Sequence, residues 1–449
     1  MSLELFFNPS SIVVIGASRT PGKIGHETLR SLVESKKKGL LKAKLYAVNP
    51  AATEILGVPT YPSVLKIPDK IDLAVIVTPA KIVPPIVDEC GRKGIKNIIV
   101  ISSNFSEVGG EGVILEEKLV ENAKKYGIRV IGPNCIGVFD PYSGVDTLFL
   151  PTHKEFPSGP RLSCPRAEKG YVSLITQSGA FGVACIDYMW GNKIGMSKFV
   201  SFGNACDVDE VDMIEYLAED PNTRIILLYI ENIKRGREFM EAARKASLKK
   251  PIVAFKAGRS SAGARAAASH TGALAGSDNI YEAAFKQCGV IRANNVEEMF
   301  DFAKALVYMP PAKNKNVFIL TDGGGAGVMC ADKAELVGLK VPEPTGKLEE
   351  ELQNLKDKGV IPQFASIKNP IDLTGSVTDE MYVETLKILL SHEQVGVIVL
   401  IALHHVPGLT YKLIDKIASV YKDSKKPLLF VDIGPVSYTH LTLPTTERV

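Results

Sequence analysis

Two stretches of the chain align without a gap, VSLITQSGAFGVACID at residues 172–187 and VFILTDGGGAGVMCAD at 317–332. Val172 and Val317, Thr176 and Thr321, Gly179 and Gly324, Gly182 and Gly327, Val183 and Val328, Cys185 and Cys330, and Asp187 and Asp332 are identical. Each copy opens on a short apolar run, passes through a small-residue turn and continues with helical spacing. A strand, a tight turn and a helix N-terminus in that order commit each copy to an α/β layer with an anion-favouring helix end. Fainter echoes follow. Asn204 and Asp207 in NACD recur as Asn369 and Asp372 in NPID, and KKPIVAFKAG (249–258) recurs as KKPLLFVDIG (425–434). The spacings between these segments differ, which predicts a duplicated domain rather than a short-period array. Packed pseudo-symmetrically, the copies would present two positive helix ends to one cleft. Each end would contribute about 0.5–2 kcal/mol toward holding a phosphoryl dianion when partly buried.

The residues before the first copy repeat the α/β theme in another form. Ser11–Ile15, Lys44–Val48, Leu73–Val77, Asn97–Ile101 and Arg129–Ile131 are short runs rich in Val and Ile, separated by segments of helical spacing such as Val83–Lys93. The alternation predicts a parallel sheet covered on both faces, with ligands at the strands' C-terminal ends. The first run ends in GASRTPGKIGHETL, where Gly16, Gly22 and Gly25 permit a tight turn before a helix. Ser18 stands where the second glycine of a dinucleotide fingerprint belongs, and the second strand ends in Asn49-Pro50 rather than in an acid. Both departures disfavour NAD and favour a different adenine nucleotide. Thr78-Pro79-Ala80, Ser102-Ser103-Asn104 and Gly132-Pro133-Asn134-Cys135 end three further strands and should converge on the same rim.

Composition excludes several classes. With 53 basic and 50 acidic residues the net charge is +3, too balanced for a nucleic-acid or anionic-membrane surface. No apolar run reaches membrane-spanning length. The seven cysteines are scattered, odd in number and without a Cys-x-x-Cys pair. That pattern predicts a reducing compartment and no structural metal site in this chain. Met1 onward runs straight into a strand without a basic leader, so the expected location is cytoplasmic.

The loop Gly258–Asp278, GRSSAGARAAASHTGALAGSD, joins a strand-like run to a helix-like one. It carries Arg259 and Arg265 as cations and His270 as its one imidazole. A strand-to-helix loop of this length is functional or disordered. Neutral imidazole among small residues and arginines suits attack on an anionic centre. The plain alternative is a linker with an incidental histidine. Glu231, at the end of the run Arg224–Ile230, is either a helix-cap neighbour or the carboxylate that holds the Nδ1–H of His270. Ser178 offers a further reading, a hydrolase nucleophile. Thr176 occupies the first glycine position of Gly-x-Ser-x-Gly, so that elbow is incomplete.

ASHTGALAGSD, ITQSGAFG and IGPNCIGV together mark a family. Over residues 1–436 the chain resembles the α subunit of ADP-forming acetate–CoA ligase, an NDP-forming acyl-CoA synthetase and relative of succinyl-CoA synthetase. The resemblance implies a Rossmann-like CoA-binding domain (1–145) followed by two flavodoxin-like doubly wound domains (146–310, with the histidine loop, and 311–436). Residues 437–449 break the α/β alternation and are expected to be a non-native tail. His270 is implied to be the phosphohistidine and Glu231 its orienting carboxylate. Ser178, Gly179 and Ala180, with Gly323, Gly324 and Gly325, are implied to hold the phosphoryl group. CoA is implied to lie along Ser18, Gly22, Lys23, Asn49, Pro50, Thr78, Pro79, Asn104 and Asn134. The chain contains no ATP-grasp segment, so ADP or ATP and Mg²⁺ are expected on a separate ATP-grasp β subunit, in an α2β2 assembly. The implied reaction is acyl-CoA + phosphate + ADP ⇌ acid + CoA + ATP, with acetyl-CoA as default substrate. The alternatives are a non-catalytic CoA-binding module and an acyl hydrolase or transferase using Ser178 with His270.

Overall fold

The computed structural model describes residues 3–260, 262, 263, 265 and 277–434. The chain divides into two compact units, Met1–Val307 and Tyr308–Val449.

The first unit holds two seven-stranded sheets. Strands β1 (Ser11–Ile15), β2 (Lys44–Val48), β3 (Glu54–Ile55), β4 (Val58–Tyr61), β5 (Leu73–Ile76), β6 (Asn97–Val100) and β7 (Arg129–Ile131) form the first sheet, in the order β3-β4-β2-β1-β5-β6-β7. All its pairings are parallel except the short β3–β4 hairpin. The Val/Ile runs are buried throughout because helices cover both faces. Helices α1 (Ile24–Lys37), α2 (Val83–Lys93) and α3 (Glu111–Tyr126) provide that cover. The last two stop at Gly94 and Gly127, each in the left-handed conformation that closes a helix C-terminus.

The second sheet orders as β16-β15-β14-β12-β13-β8-β9. Its strands are β8 (Gly137–Asp140), β9 (Val145–Asp146), β12 (Lys169–Thr176), β13 (Met196–Ser201), β14 (Ile225–Ile230), β15 (Ile252–Lys256) and β16 (Ile291–Ala293). A small hairpin, β10 (His153–Lys154) with β11 (Arg161–Leu162), lies between β9 and β12. Helices α4 (Gly179–Gly191), α5 (Glu210–Glu219) and α6 (Gly236–Ser247) follow in turn.

Strand β8 precedes the boundary expected at 145, yet it pairs antiparallel with β13 and so belongs to the second sheet. The segment between β9 and β12 is anchored too: Arg166 donates to Asp146 at 2.7 Å. The segment after β13 runs along the free edge of β7, with Asn204 N donating to Pro133 O at 3.0 Å and Val208 N to Val130 O at 3.0 Å. Arg129 of β7 pairs with Asp207 and Asp212 at 2.9 and 2.8 Å. One apolar cluster accordingly runs through both sheets, from Val14 and Val75 to Ile175 and Leu228.

The second unit carries a parallel four-stranded sheet, ordered β18-β17-β19-β20, of β17 (Val317–Thr321), β18 (Ile371–Asp372), β19 (Val397–Leu403) and β20 (Leu428–Ile433). The repeat is visible in it. As β12 leads into α4, β17 leads into the helix Gly324–Leu336; as β14 pairs with β12 and β15, β19 pairs with β17 and β20. The NACD/NPID echo is not equivalent in space: Asn204 follows β13, whereas Asn369 precedes β18.

Candidate active site

The C-terminal ends of β5, β6 and β7 line an open cleft of about 870 Å³. Thr78, Pro79, Ser102, Asn104, Asn134 and Cys135 all face it, so the three strand ends do converge on one rim. The Thr78 hydroxyl oxygen is buried there without a hydrogen-bond partner among the described residues. Asn104 and Asn134 sit at φ 73° and 58°, a left-handed backbone that asparagine tolerates better than most residues. Burial pushes the Cys135 thiol up to about 12, so it offers no thiolate to a ligand at neutral pH.

The remaining residues of the expected CoA set lie around the ends of β1 and β2 and are not among those lining this cleft. The Ser18 carbonyl lies 2.9 Å from His26 Nδ1. Gly22, at φ 81°, donates its N–H to the Glu27 carboxylate at 2.8 Å. Asn49 donates to Ala17 O at 2.7 Å and accepts from Ala51 N at 2.8 Å, which bends the chain into Pro50. Lys23 is the N-cap of α1, which starts at Ile24, two residues before the helix expected after Gly25. Gly25 therefore sits in the first turn of α1, packed on Gly16 so closely that a Cβ would stand 2.1 Å from the Gly16 carbonyl oxygen.

At its other end the cleft is lined by Gln177, Ser178, Gly179 and Ala180, the turn that opens α4. Thr176 shapes this turn: its hydroxyl accepts from Ser178 N at 3.1 Å and donates to Ser178 O at 2.8 Å. The second unit repeats the device, Thr321 accepting from Gly323 N at 3.0 Å and donating to Gly323 O at 3.2 Å. Sequence reading recorded these threonines as identical but missed their role. Ser178 Oγ accepts from Phe181 N at 3.3 Å as the N-cap of α4, which ties up the oxygen a hydrolase would need. Gly323, Gly324 and Gly325 open the corresponding helix of the second unit, where no side chain caps it. Ile24, Ile136 and Phe149 add apolar walls to the cleft. No motif singled them out, because an apolar residue facing a ligand reads the same as one facing a core.

Glu231 follows β14 and is buried. Its backbone N–H donates to Gln177 Oε1 at 2.5 Å, and the Tyr229 hydroxyl lies 3.4 Å from its Oε1. Burial, with the Glu231 carboxylate adding, pushes Tyr229 up to about 12. The Tyr229 ring stacks on Phe181 of α4 at 4.1 Å. Beside it lies a chamber of about 50 Å³, lined by Glu231, Glu210 and Asn204 among others, which shares Asn134 and Gln177 with the cleft. Lys256, at the foot of the long loop, is buried with its ammonium 4.6 Å from the Tyr281 ring, and desolvation lowers its pKa. His270 lies outside the described residues, as do residues 435–449. Among the described residues no group of three or more His, Cys, Asp or Glu side chains could hold a metal ion, and no helix is long and apolar enough to cross a membrane.

Three sequence families match this layout: a CoA binding domain over residues 10–141, a succinyl-CoA ligase like flavodoxin domain over 169–306, and a Ligase-CoA domain over 317–426. The chain is 44% identical to the α subunit of acetate–CoA ligase [ADP-forming] I of Pyrococcus furiosus, over 97% of this chain and 91% of that one. It is 43% identical to acetate–CoA ligase [ADP-forming] I of Archaeoglobus fulgidus, over 89% of this chain and 54% of that protein. A solved structure of the dinucleotide forming acetyl-coenzyme A synthetase 1 of Ca. Korarchaeum cryptofilum, in complex with phosphate and ADP, superposes with a TM-score of 0.88 at 39% identity, covering 98% of this chain and 90% of that one. With a Rossmann-like CoA-binding sheet followed in the chain by a duplicated flavodoxin-like unit, the chain belongs to the family of α subunits of ADP-forming acetate–CoA ligases.

Proposed function

We propose that this chain is the CoA- and phosphate-handling subunit of an ADP-forming acyl-CoA synthetase, catalysing acyl-CoA + phosphate + ADP ⇌ acid + CoA + ATP. One observation carries the reading: a single cleft is lined both by the rim of the first sheet and by the glycine turn that opens α4. A thioester bound along the rim would place its carbonyl beside a helix N-terminus suited to phosphate. The CoA contacts proposed are Thr78, Pro79, Asn104 and Asn134 in the cleft, with Ser18, Gly22, Lys23, Asn49 and Pro50 at the neighbouring strand ends.

In the first step a phosphate oxygen attacks the thioester carbonyl carbon, the C–S bond breaks, and CoA leaves as its thiol with the proton that phosphate gives up. The acyl phosphate stays at Ser178–Ala180. His270 Nε2 then attacks phosphorus in line, the P–O bond to the acyl group breaks, and the carboxylate departs. Glu231 holds the Nδ1–H throughout and balances the positive ring that results. The helix N-terminus at Ser178–Ala180 offsets charge on the phosphoryl oxygens, and Gly323–Gly325 is the equivalent phosphate-holding turn of the second unit. Finally an ADP oxygen takes the phosphoryl group and the imidazole is regenerated. The long, small-residue loop suits a carrier that serves two sites.

The nucleotide and Mg²⁺ belong to an ATP-grasp β subunit in an α2β2 complex of the cytoplasm. The 54% coverage of the Archaeoglobus fulgidus relative supports this, since the remainder of that protein is long enough to supply such a partner. Acid-labile label from [³²P]phosphate and acetyl-CoA, measured with the β subunit present, tests the reading. We expect one labelled site, lost in His270→Ala while CoA binding persists. Label retained by that variant refutes the histidine, and no label in the wild-type complex leaves only a CoA-binding module.

A further inference from the structure

Gln177 is the residue between the strand β12 and the cap of α4, and its side chain does not point along either. Its Oε1 accepts from Glu231 N at 2.5 Å and from Asn232 N at 3.1 Å, and its Nε2 donates to Asn232 O at 2.8 Å. Three backbone groups fix the amide's orientation, two donors selecting the oxygen and one acceptor selecting the nitrogen. The turn that opens α4 and the strand end that carries Glu231 are thereby held as one piece.

The second unit contains the same clamp in the same register. Thr176 pairs with Tyr229 and Thr321 with Ile401, so Glu231 and Leu403 are equivalent positions, each two residues further on. Asp322, which aligns with Gln177, accepts from Leu403 N at 3.0 Å. The duplicated fold thus uses the residue after the threonine to grip the neighbouring strand end. The copies differ in what they grip and with what charge. In the second, an acid holds a leucine; in the first, a neutral amide holds an acid. A carboxylate at 177 would make the same accepting contacts, but it would place a second negative charge beside Glu231 and at the mouth of the helix end facing the cleft.

We infer that Gln177 is a positioning residue for phosphoryl transfer, fixing Glu231 relative to the N-terminus of α4 without adding charge. The inference rests on the function proposed above. In-line attack tolerates little misplacement, and groups that orient a reacting side chain are worth about 10- to 100-fold in rate. Gln177 acts through Glu231, so its effect must vanish when Glu231 can no longer act.

The experiment uses the complete complex with its β subunit. It reads the single-turnover rate of protein labelling from [³²P]phosphate and acetyl-CoA, with KM for acetyl-CoA alongside. Gln177→Met is expected to slow labelling by about 10- to 100-fold and to leave KM for acetyl-CoA within about 2-fold, since the hydrogen bonds of the lost amide run to the Glu231 and Asn232 backbone. In a Glu231→Gln background the same change is expected to cost less than about 2-fold further. Gln177→Glu, whose fold is supported by the acid at Asp322, runs the same cycle should Gln177→Met not assemble. A wild-type rate in the single variants, or a loss that multiplies in full with that of Glu231→Gln, overturns the inference. Absence of His270-dependent label in the wild type would instead overturn the proposed function.

Discussion

Replacing Glu210 by Gln tests the electrostatics of the chamber beside Glu231. Glu210 begins α5, directly after the N-cap Asp209, and is only 2% exposed. Its Oε1 is buried without a hydrogen-bond partner among the described residues. Burial first, and the Asp209 carboxylate second, push its pKa from the ordinary 4.5 to about 7, against a weaker pull from Arg235 and Lys234. The folded chain therefore holds this proton more tightly than the unfolded chain does. Stability from the group is full below pH 4.5 and is lost as pH rises to about 7, beyond which a buried carboxylate carries a fixed cost. The shift corresponds to about 3 kcal/mol at pH 8 and less than about 1 kcal/mol at pH 5. Gln keeps the volume and stays neutral, so Glu210→Gln should be more stable than the wild type at pH 8 by up to about 3 kcal/mol. About 1 kcal/mol of that gain is offset if its N–H groups lack acceptors. Urea unfolding at the two pH values measures the difference. Trp190, the only tryptophan in the chain, reports on the first compact unit. A variant with the same ΔΔG at pH 5 and pH 8, or one destabilised at pH 8, refutes the reasoning.

Three further outcomes are expected. Ser178→Ala removes the side-chain cap on Phe181 N and should lower stability by about 1 kcal/mol while labelling of the complex persists; complete loss of activity with an acyl-enzyme in the wild type would instead make Ser178 a nucleophile. Gly25→Ala puts a methyl 2.1 Å from the Gly16 carbonyl oxygen, where only backbone can give way. It should cost about 1–3 kcal/mol and weaken CoA binding by calorimetry, and unchanged affinity would remove the β1–α1 turn from the CoA site. Lys198 is buried between Asp140 and Asp220 at 3.3 and 3.1 Å. Lys198→Met strands both carboxylates and should lower unfolding free energy by about 3–5 kcal/mol at pH 8. The loss should shrink on acidification, because burial already raises the pKa of Asp140 and protonation relieves its stranded charge.

The strand runs, the glycine turns and the duplication were legible in the sequence, since each is a local pattern with a local cause. Alternating Val/Ile runs with helical spacing can bury both faces only as a parallel α/β layer. The convergence of Thr78, Asn104 and Asn134 followed from the same rule, because parallel strands end on one rim. The NACD/NPID echo misled: two letters of four matched, but one copy follows its strand and the other precedes it.

What residue order alone determined was the kind of layer, its repetition, and the few side chains chemistry could use. Tertiary structure decided how the pieces of the first unit are joined. Strand β8 crosses into the second sheet and Asn204–Val208 lies along β7, contacts between residues far apart in the chain that no local pattern encodes. It also decided the work of Gln177. A glutamine after a strand carries no signal of its own. Only the register of β12 against β14 brings its amide to the backbone of Glu231 and turns a polar residue into a clamp.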